Sequence, residues 1–344
     1  MTVTLFGSMF IRDALGVFGM EQQVIEEAVQ YMRVFFAGWI SLELLIMSLY
    51  IIQSTGDSFI PMLIEIFMRI VHMILTPLLV LGVGLPKMGI SGAALASVMA
   101  QTVGAIAGLV ILFTGFTRMK LSLRDFRFNP GMMWREIKIG FWSMLQMLQY
   151  NISTLVVMKI LVPFGTQALA ADRIVGNIQG FVITPNLGLG GGVAVLVGQN
   201  LGAQQPERAK KSTLLGAGIL TGFLIVCGAA ILIWANSLVA FFDQDPQVIA
   251  IGAAFLRIAT AGYMVMGVNT ALQNCITGSG DTLPNMLISF GMIWVVQIPL
   301  TYFLADHTGL GVNGIRWAMV ISMFAGVVAY FLYFQSGRWK RKRV

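Results

Sequence analysis

The chain has 344 residues, 57% of them hydrophobic and only 11% charged, with a mean hydropathy of +0.82. A soluble domain carries about 25% charged residues, so this chain cannot cover a water-facing surface and belongs in a bilayer. The net charge of +7 is gathered in a few loops, which argues against a nucleic-acid footprint, and Cys227 and Cys275 lie far apart in apolar runs and read as small buried hydrophobes.

A bilayer core of about 30 Å is crossed by roughly 20 helical residues. A short apolar run at 1–18 opens the chain, with no cleavable signal peptide. Nine complete runs follow, at about 30–53, 58–84, 90–116, 136–162, 168–197, 212–242, 248–277, 283–305 and 312–335. They are helices, because strands of a lipid-facing barrel would alternate polar and apolar residues. The cations set the orientation. Segment 117–135 holds Arg118, Lys120, Arg124, Arg127 and Arg135, the loop QQPERAKK holds Arg208, Lys210 and Lys211, and the tail GRWKRKRV is basic, whereas the intervening loops hold only Lys87. The expected placement is a multi-pass protein of the cell inner membrane with its C-terminus cytoplasmic.

The phrase QSTGDSFIPMLI (53–64) returns as ITGSGDTLPNMLI (276–288). Arg33, Ala37, Gly38, Gly56, Asp57, Met62, Leu63 and Ile64 fall on Arg257, Ala261, Gly262, Gly280, Asp281, Met286, Leu287 and Ile288 at one offset, 224 positions. After a two-residue slip Pro77 falls on Pro299, and GISGA (89–93) on GVNGI (311–315). This is an internal duplication. Six helices separate the copies, so both point the same way across the membrane, and a two-fold axis along the membrane normal is expected. The expected fold is an all-α polytopic membrane protein of two six-helix bundles, the first incomplete, with about 9–10 helices of 12. Residues 1–116 would be the N-terminal remnant (end of helix 3, helices 4–6), 117–135 a cytoplasmic linker, 136–337 the C-terminal bundle (helices 7–12) and 338–344 a basic cytoplasmic tail. By the offset, the first half would begin about ninety residues before Met1; a genuine ten-helix protein is the alternative.

The stretch ALAADRIVGNIQGFVITPNLGLGGGVAVLVGQNLGAQQPERAKKS (168–212) resembles the multidrug and toxic compound extrusion (MATE) family, in which the second helix of each half ends in a Gly-Gln-Asn-Leu-Gly-Ala phrase, here Gly198, Gln199, Asn200, Leu201, Gly202 and Ala203, with Ala209 following. The GDT…P phrases and GISGAALA (89–96) match as well. The resemblance implies twelve helices in two bundles and efflux driven by a sodium or proton gradient. Physically, Gly188, Gly190, Gly191 and Gly192 read as packing or bending residues, and Asp57 and Asp281 as caps of the helices that follow them, with ion binding as the alternative.

Ionisable groups inside a span are functional candidates. Glu65 and Arg69 have the i, i+4 spacing of a salt bridge. Arg33, Arg257 and Lys159 lie near outer helix ends and can snorkel, and Asp172 and Arg173 are expected to act locally. Glu43 and His72 have no evident local partner and are the candidates for coupling to the ion gradient, with an interhelical hydrogen bond as the alternative for each. One proton-coupled branch of the family carries Asn and Asp where this chain has His72 and Thr76; another carries acids where this chain reads Tyr150 or Asn151 and Met266 or Gly267, and Trp142 stands for the usual proline. The resemblance therefore transfers the fold without a coupling site. Gln146, Tyr150, Asn151, Asn177, Asn269 and Gln273, with Gln149, Gln179 and Asn274, give the second bundle a polar, uncharged lining and are the candidates for a substrate cavity.

No catalytic, cofactor-binding or metal-ligating constellation is expected: HExxH, GxSxG and paired intramembrane aspartates do not occur. The expected function is a secondary active antiporter, monomeric in the lipid bilayer, exporting small organic compounds of cationic or amphipathic character, with a sodium ion or proton as coupling ion and no cofactor. The alternatives are a flippase of lipid-linked sugars, which would need cationic side chains for a pyrophosphate, and, as a minor reading, an intramembrane enzyme.

Overall fold

The computed structural model describes residues 22–84, 87–117, 119–122, 124 and 128–341; the apolar run at 1–18 lies outside them. Among the described residues all regular structure is helical. The chain divides into two compact units, Met1–Phe128 and Asn129–Val344. Unit 1 contains α1 (Gln22–Ala37), α2 (Trp39–Ser54), α3 (Phe59–Leu81) and α4 (Gly89–Thr114). Unit 2 contains α5 (Pro130–Leu161), α6 (Thr166–Gly202), α7 (Pro206–Ala240), α8 (Pro246–Gly278), α9 (Thr282–Phe290), a π segment (Gly291–Gln297), α10 (Ile298–Asp306) and α11 (Val312–Gln335), closed by a 3-10 turn, Arg338–Arg341.

All nine complete apolar runs fall on helices. Eight helical stretches among the described residues are long and apolar enough to cross a membrane, and α1 with α2 makes a ninth, bent by 50°. Where helices outrun the apolar runs, polar signals set the ends. Asn129 caps α5 by accepting from the Met132 N–H at 3.2 Å, with Pro130 in the first turn. The last six residues of the expected 117–135 linker are therefore helical. Asp245 caps α8, accepting from the Gln247 N–H at 2.8 Å, with Pro246 next. Proline suits a first turn because the N–H it lacks has no partner there.

The duplication is visible contact by contact within the two units. In unit 1 the Thr55 hydroxyl donates to the Ile52 carbonyl, 2.7 Å, and the Gly56 N–H to the Gln53 carbonyl, 3.0 Å. In unit 2 Ser279 donates to Ile276, 2.7 Å, and Gly280 to Thr277, 2.9 Å. Gly56 and Gly280 both sit at positive φ, 91° and 74°, a backbone region open to glycine at little steric cost. A Cβ on Gly104 would press on Leu45 and Met68, and one on Gly326 on Asn269 and Met292, the same neighbours one offset along. Gly38 faces Val98 as Gly262 faces Val320.

The copies also differ. α1 and α2 break at Gly38, whereas their counterpart α8 runs unbroken for 33 residues. The two-residue slip falls in the stretch where α3 stays α-helical past Pro77 while its counterpart carries the π segment directly before Pro299. A proline inside a helix clashes with the carbonyl four residues back, and a wider turn is one way to relieve it.

Close crossings hold unit 2 together. A Cβ on Gly278 would collide with the Ala194 backbone of α6, and one on Gly267 would lie 2.5 Å from the Thr221 N of α7. Of the glycine run in α6, only Gly190 makes such an approach, meeting Thr270 and Asn274, whereas Gly188, Gly191 and Gly192 face open space. The run as a whole is therefore not a packing motif; the helix turns one residue of it toward α8. Gly278→Ala should lower the thermal midpoint in detergent by the cost of overpacking, about 1–3 kcal/mol. Gly191→Ala should leave it unchanged or slightly raised, because alanine is the better helix former. Circular dichroism melts of the two variants check this.

Candidate functional site

Unit 2 carries most of the interior polar chemistry, in three places. The first is at the end where α8 turns into α9. Asn285, 2% exposed, donates to the Thr277 hydroxyl at 2.8 Å and to the Gln146 carbonyl oxygen at 3.3 Å. It accepts from the Tyr330 hydroxyl at 2.8 Å. One turn further along α5, Gln149 donates to Ser289, 2.7 Å. Thr282 donates to the Ile139 carbonyl, 3.0 Å. These bonds join α5, α8, α9 and α11, where an unpaired amide would be costly.

Asp57 and Asp281 part company here. Asp57 caps α3 as expected, accepting from the N–H groups of Phe59 and Ile60 at 3.0 and 3.2 Å. Asp281 is buried, makes no side-chain cap and accepts a hydrogen bond from the Tyr333 hydroxyl. The cap expected for it is thus replaced by an interhelical bond. The slipped offset puts Ile111, which carries no hydroxyl, where unit 2 has Tyr333.

The second place is the opposite end of the unit. Arg316 of α11, buried to 8% exposure, pairs with Asp172 of α6, and its guanidinium lies 4.6 Å from the centre of the Phe255 ring of α8. Its Nε has no partner. Asp172 therefore acts across the fold rather than locally, with a partner 144 positions away. Sequence reasoning passed over Arg316, although an arginine inside an apolar run is itself the signal.

The third place is an open depression of about 670 Å³ lined by Asn177, Gly180, Phe181, Thr184 and Pro185 of α6 and by Phe242. None of its lining side chains is charged. Of the expected cavity residues it brings in Asn177 alone. Gln146 is engaged by Asn285. Tyr150 and Asn151 are exposed, Asn151 bonding back to the Met147 carbonyl. Asn269 is half-buried with its Oδ1 unpartnered, and Gln273 is half-buried on the same helix. The aromatic members, Phe181 and Phe242, were missed because an apolar residue in an apolar run carries no signal of its own.

In unit 1, Glu65 and Arg69 form the expected i, i+4 pair, 3.8 Å apart. Glu43 is exposed, and no hydrogen bond or ion pair holds it among the described residues. Its counterpart Gly267 is the position that α7 covers in unit 2. His72 has a partner on another helix: its Nε2 shares a 3.0 Å hydrogen bond with the Ser97 hydroxyl of α4, and Thr76 donates to the His72 carbonyl, 2.7 Å. The bond to Ser97 crosses between helices, which the sequence order does not show. Among the described residues no group of three or more His, Cys, Asp or Glu is placed to hold a metal ion.

Repeated helices long enough to span, with polar groups bonded inside them, are the build of polytopic membrane transporters. The MatE family profile matches residues 141–303, so the chain is similar to members of the MATE family over that stretch. Members of that family are transporters and not enzymes. The chain is 24% identical over 328 residues to a protein of Thermotoga maritima named probable multidrug resistance protein NorM, covering 94% of this chain and 70% of that one. It is 25% identical over 353 residues to probable multidrug resistance protein YoeA of Bacillus subtilis, covering 99% and 74%. A protein of Shewanella oneidensis named FAD transporter is 25% identical over 337 residues, with 96% and 73% covered. Crystal structures of MATE in straight and bent conformations share the fold, with TM-scores of 0.91 and 0.90 at 21% and 20% identity, covering 99% and 97% of this chain and 76% and 74% of theirs.

Removing one member of the Asp172–Arg316 pair leaves a charge facing a poorly solvated site, a loss of about 3–5 kcal/mol for a buried pair. Asp172 is half-exposed, so Arg316→Met and Asp172→Asn should each fall at or below the lower end of that range. Together they should cost clearly less than their sum. Chemical or thermal unfolding of the two single variants and the double variant measures the coupling directly.

Proposed function

We propose that the chain works as a secondary active antiporter that exports organic compounds of cationic or amphipathic character by alternating access, driven by a sodium or proton gradient, in the cell inner membrane with its C-terminus cytoplasmic. The single observation behind the substrate class is the depression on α6. It offers two phenyl rings, Phe181 and Phe242, an amide, Asn177, and a hydroxyl, Thr184, with no formal charge. Aromatic faces attract organic cations, and a few polar groups in an apolar surface orient a ligand without fixing its identity. The names of the Thermotoga and Bacillus relatives agree with that class. An uncharged lining suits a pyrophosphate-bearing lipid poorly.

Coupling is assigned to Glu43 and His72. Glu43 is a carboxylate on a membrane helix without an ion-pair partner among the described residues. His72 is an imidazole held by Ser97 on the neighbouring helix. Glu43 offers carboxylate oxygens, and His72 an imidazole nitrogen, as partners for a coupling ion.

The test is transport in proteoliposomes: a fluorescent organic cation should move only when a proton or sodium gradient is imposed. Phe181→Ala should raise the half-saturating concentration by roughly 2- to 30-fold, the span of a cation–π contact. Glu43→Gln or His72→Asn should lower the rate and flatten its dependence on the coupling ion. Movement independent of any gradient would overturn antiport. Parent-like rate and ion dependence in both coupling variants would make Glu43 and His72 structural.

A further inference from the structure

Two basic stretches more than 120 positions apart meet at the end of unit 2 that carries the α6–α7 turn. α7 opens with Glu207, Arg208, Lys210 and Lys211, and the three cations are exposed. After α11 the chain turns back at Gly337 into the Arg338–Arg341 turn. Trp339 there is fully buried. It packs in a cluster with Val193, Val197, Ala209 and Leu220, stacks on Phe334 at 5.2 Å and donates its Nε1–H to the Phe334 carbonyl at 3.0 Å. The basic tail is thus, through Lys340, part of the fold. The anchor sets Lys340 Nζ 2.7 Å from Glu207 Oε1. That bond ties the tail to the first turn of α7 and neutralises the one acid of the group. Arg208, Lys210, Lys211 and Arg338 are left exposed, with no ion pair among the described residues.

The depth of this patch follows from the helix. α7 has 35 residues, about 52 Å at 1.5 Å per residue, against a hydrocarbon core of about 30 Å. No charged residue occurs from Ser212 to Phe242, so the bilayer lies over that stretch and Lys210 and Lys211 stand at its edge, at the level of the headgroups. The other end of the unit carries Asp243, Asp245 and Asp306 in its loops. The unit is therefore electrostatically polarised along its helices.

We propose that the patch formed by Arg208, Lys210, Lys211 and the Trp339-anchored Arg338 binds the phosphate headgroups of anionic phospholipids in the adjoining leaflet. Its exposed cations lie at headgroup depth with no ion pair among the described residues, and both halves are held in place by the fold. Cations so placed attract anionic lipid individually and additively. This goes beyond the transport reading and holds whatever the substrate is.

The test is lipid retention by the purified chain in neutral detergent, with palmitoyl-oleoyl phosphatidylglycerol and palmitoyl-oleoyl phosphatidylcholine offered in equal amounts and bound lipids counted by native mass spectrometry. The parent should keep phosphatidylglycerol at least fivefold over phosphatidylcholine. Arg208→Gln/Lys211→Gln and Arg338→Gln should lose affinity for it by about fivefold per charge removed, with unchanged melting in phosphatidylcholine. Glu207→Gln, which removes the acid, should gain. Equal retention of the two lipids by the parent, or an unchanged preference in the Arg208→Gln/Lys211→Gln and Arg338→Gln variants, overturns the proposal. Displacement of the lipid by millimolar inorganic phosphate would instead assign the patch to a free anion.

Discussion

Helices in a bilayer are not pushed together by water, because lipid tails are as apolar as leucine. They associate where backbones approach closely enough for many weak contacts, or where polar groups would otherwise go unpaired. Unit 2 uses both devices on α8. Gly267 and Gly278 bring α7 and α6 against it with no room for a methyl group, and Thr277 ties its last turns to Asn285. Exposed phenylalanine, leucine and methionine side chains on the outer faces are the expected complement, since in lipid they cost nothing to leave outside.

This rule also explains how a duplicated sequence supports two different interiors. Both copies keep the glycine turn at positive φ and the glycine contacts between helices, which are demands of backbone geometry. They diverge where a side chain chooses its partner. Asp57 accepts from backbone N–H groups and caps a helix. Asp281 has Tyr333 beside it and becomes an interhelical bond. Asn285 stands where unit 1 has Pro61, and Tyr330 where it has Gly108, so the amide network of unit 2 has no counterpart in unit 1. Duplication preserved the scaffold, and substitution gave each copy its own polar chemistry.

The two ends of unit 2 differ in kind. One holds a neutral hydrogen-bonded network and an exposed basic rim, the other a buried arginine held by one carboxylate and one aromatic face. A buried guanidinium with an unpartnered Nε is an expensive arrangement if stability alone is considered, since apolar residues of similar volume would often serve as well. Its retention fits a demand for one particular packing of α6, α8 and α11. Close packing admits few alternatives, so a polar anchor selects among them.

The sequence by itself determined the solvent, the helical character, the apolar runs and the duplication. Each follows from local composition or from a repeat distance, and the bilayer permits few other solutions. It also marked Glu65 with Arg69, because i, i+4 neighbours on a helix are near by construction. What it did not determine were pairings across distant positions. Asp172 finds Arg316, His72 finds Ser97, Gln149 finds Ser289 and Lys340 finds Glu207 only after the helices are stacked, and nothing in a linear run of residues says which faces will meet. The same holds for the depression on α6: Phe181 and Phe242 are ordinary members of apolar runs until the tertiary structure leaves them uncovered beside Asn177. Helix ends fell between the two cases. Hydrophobicity follows the hydrocarbon, whereas the true ends were set by capping side chains and first-turn prolines, whose bonds form only once the helix has begun.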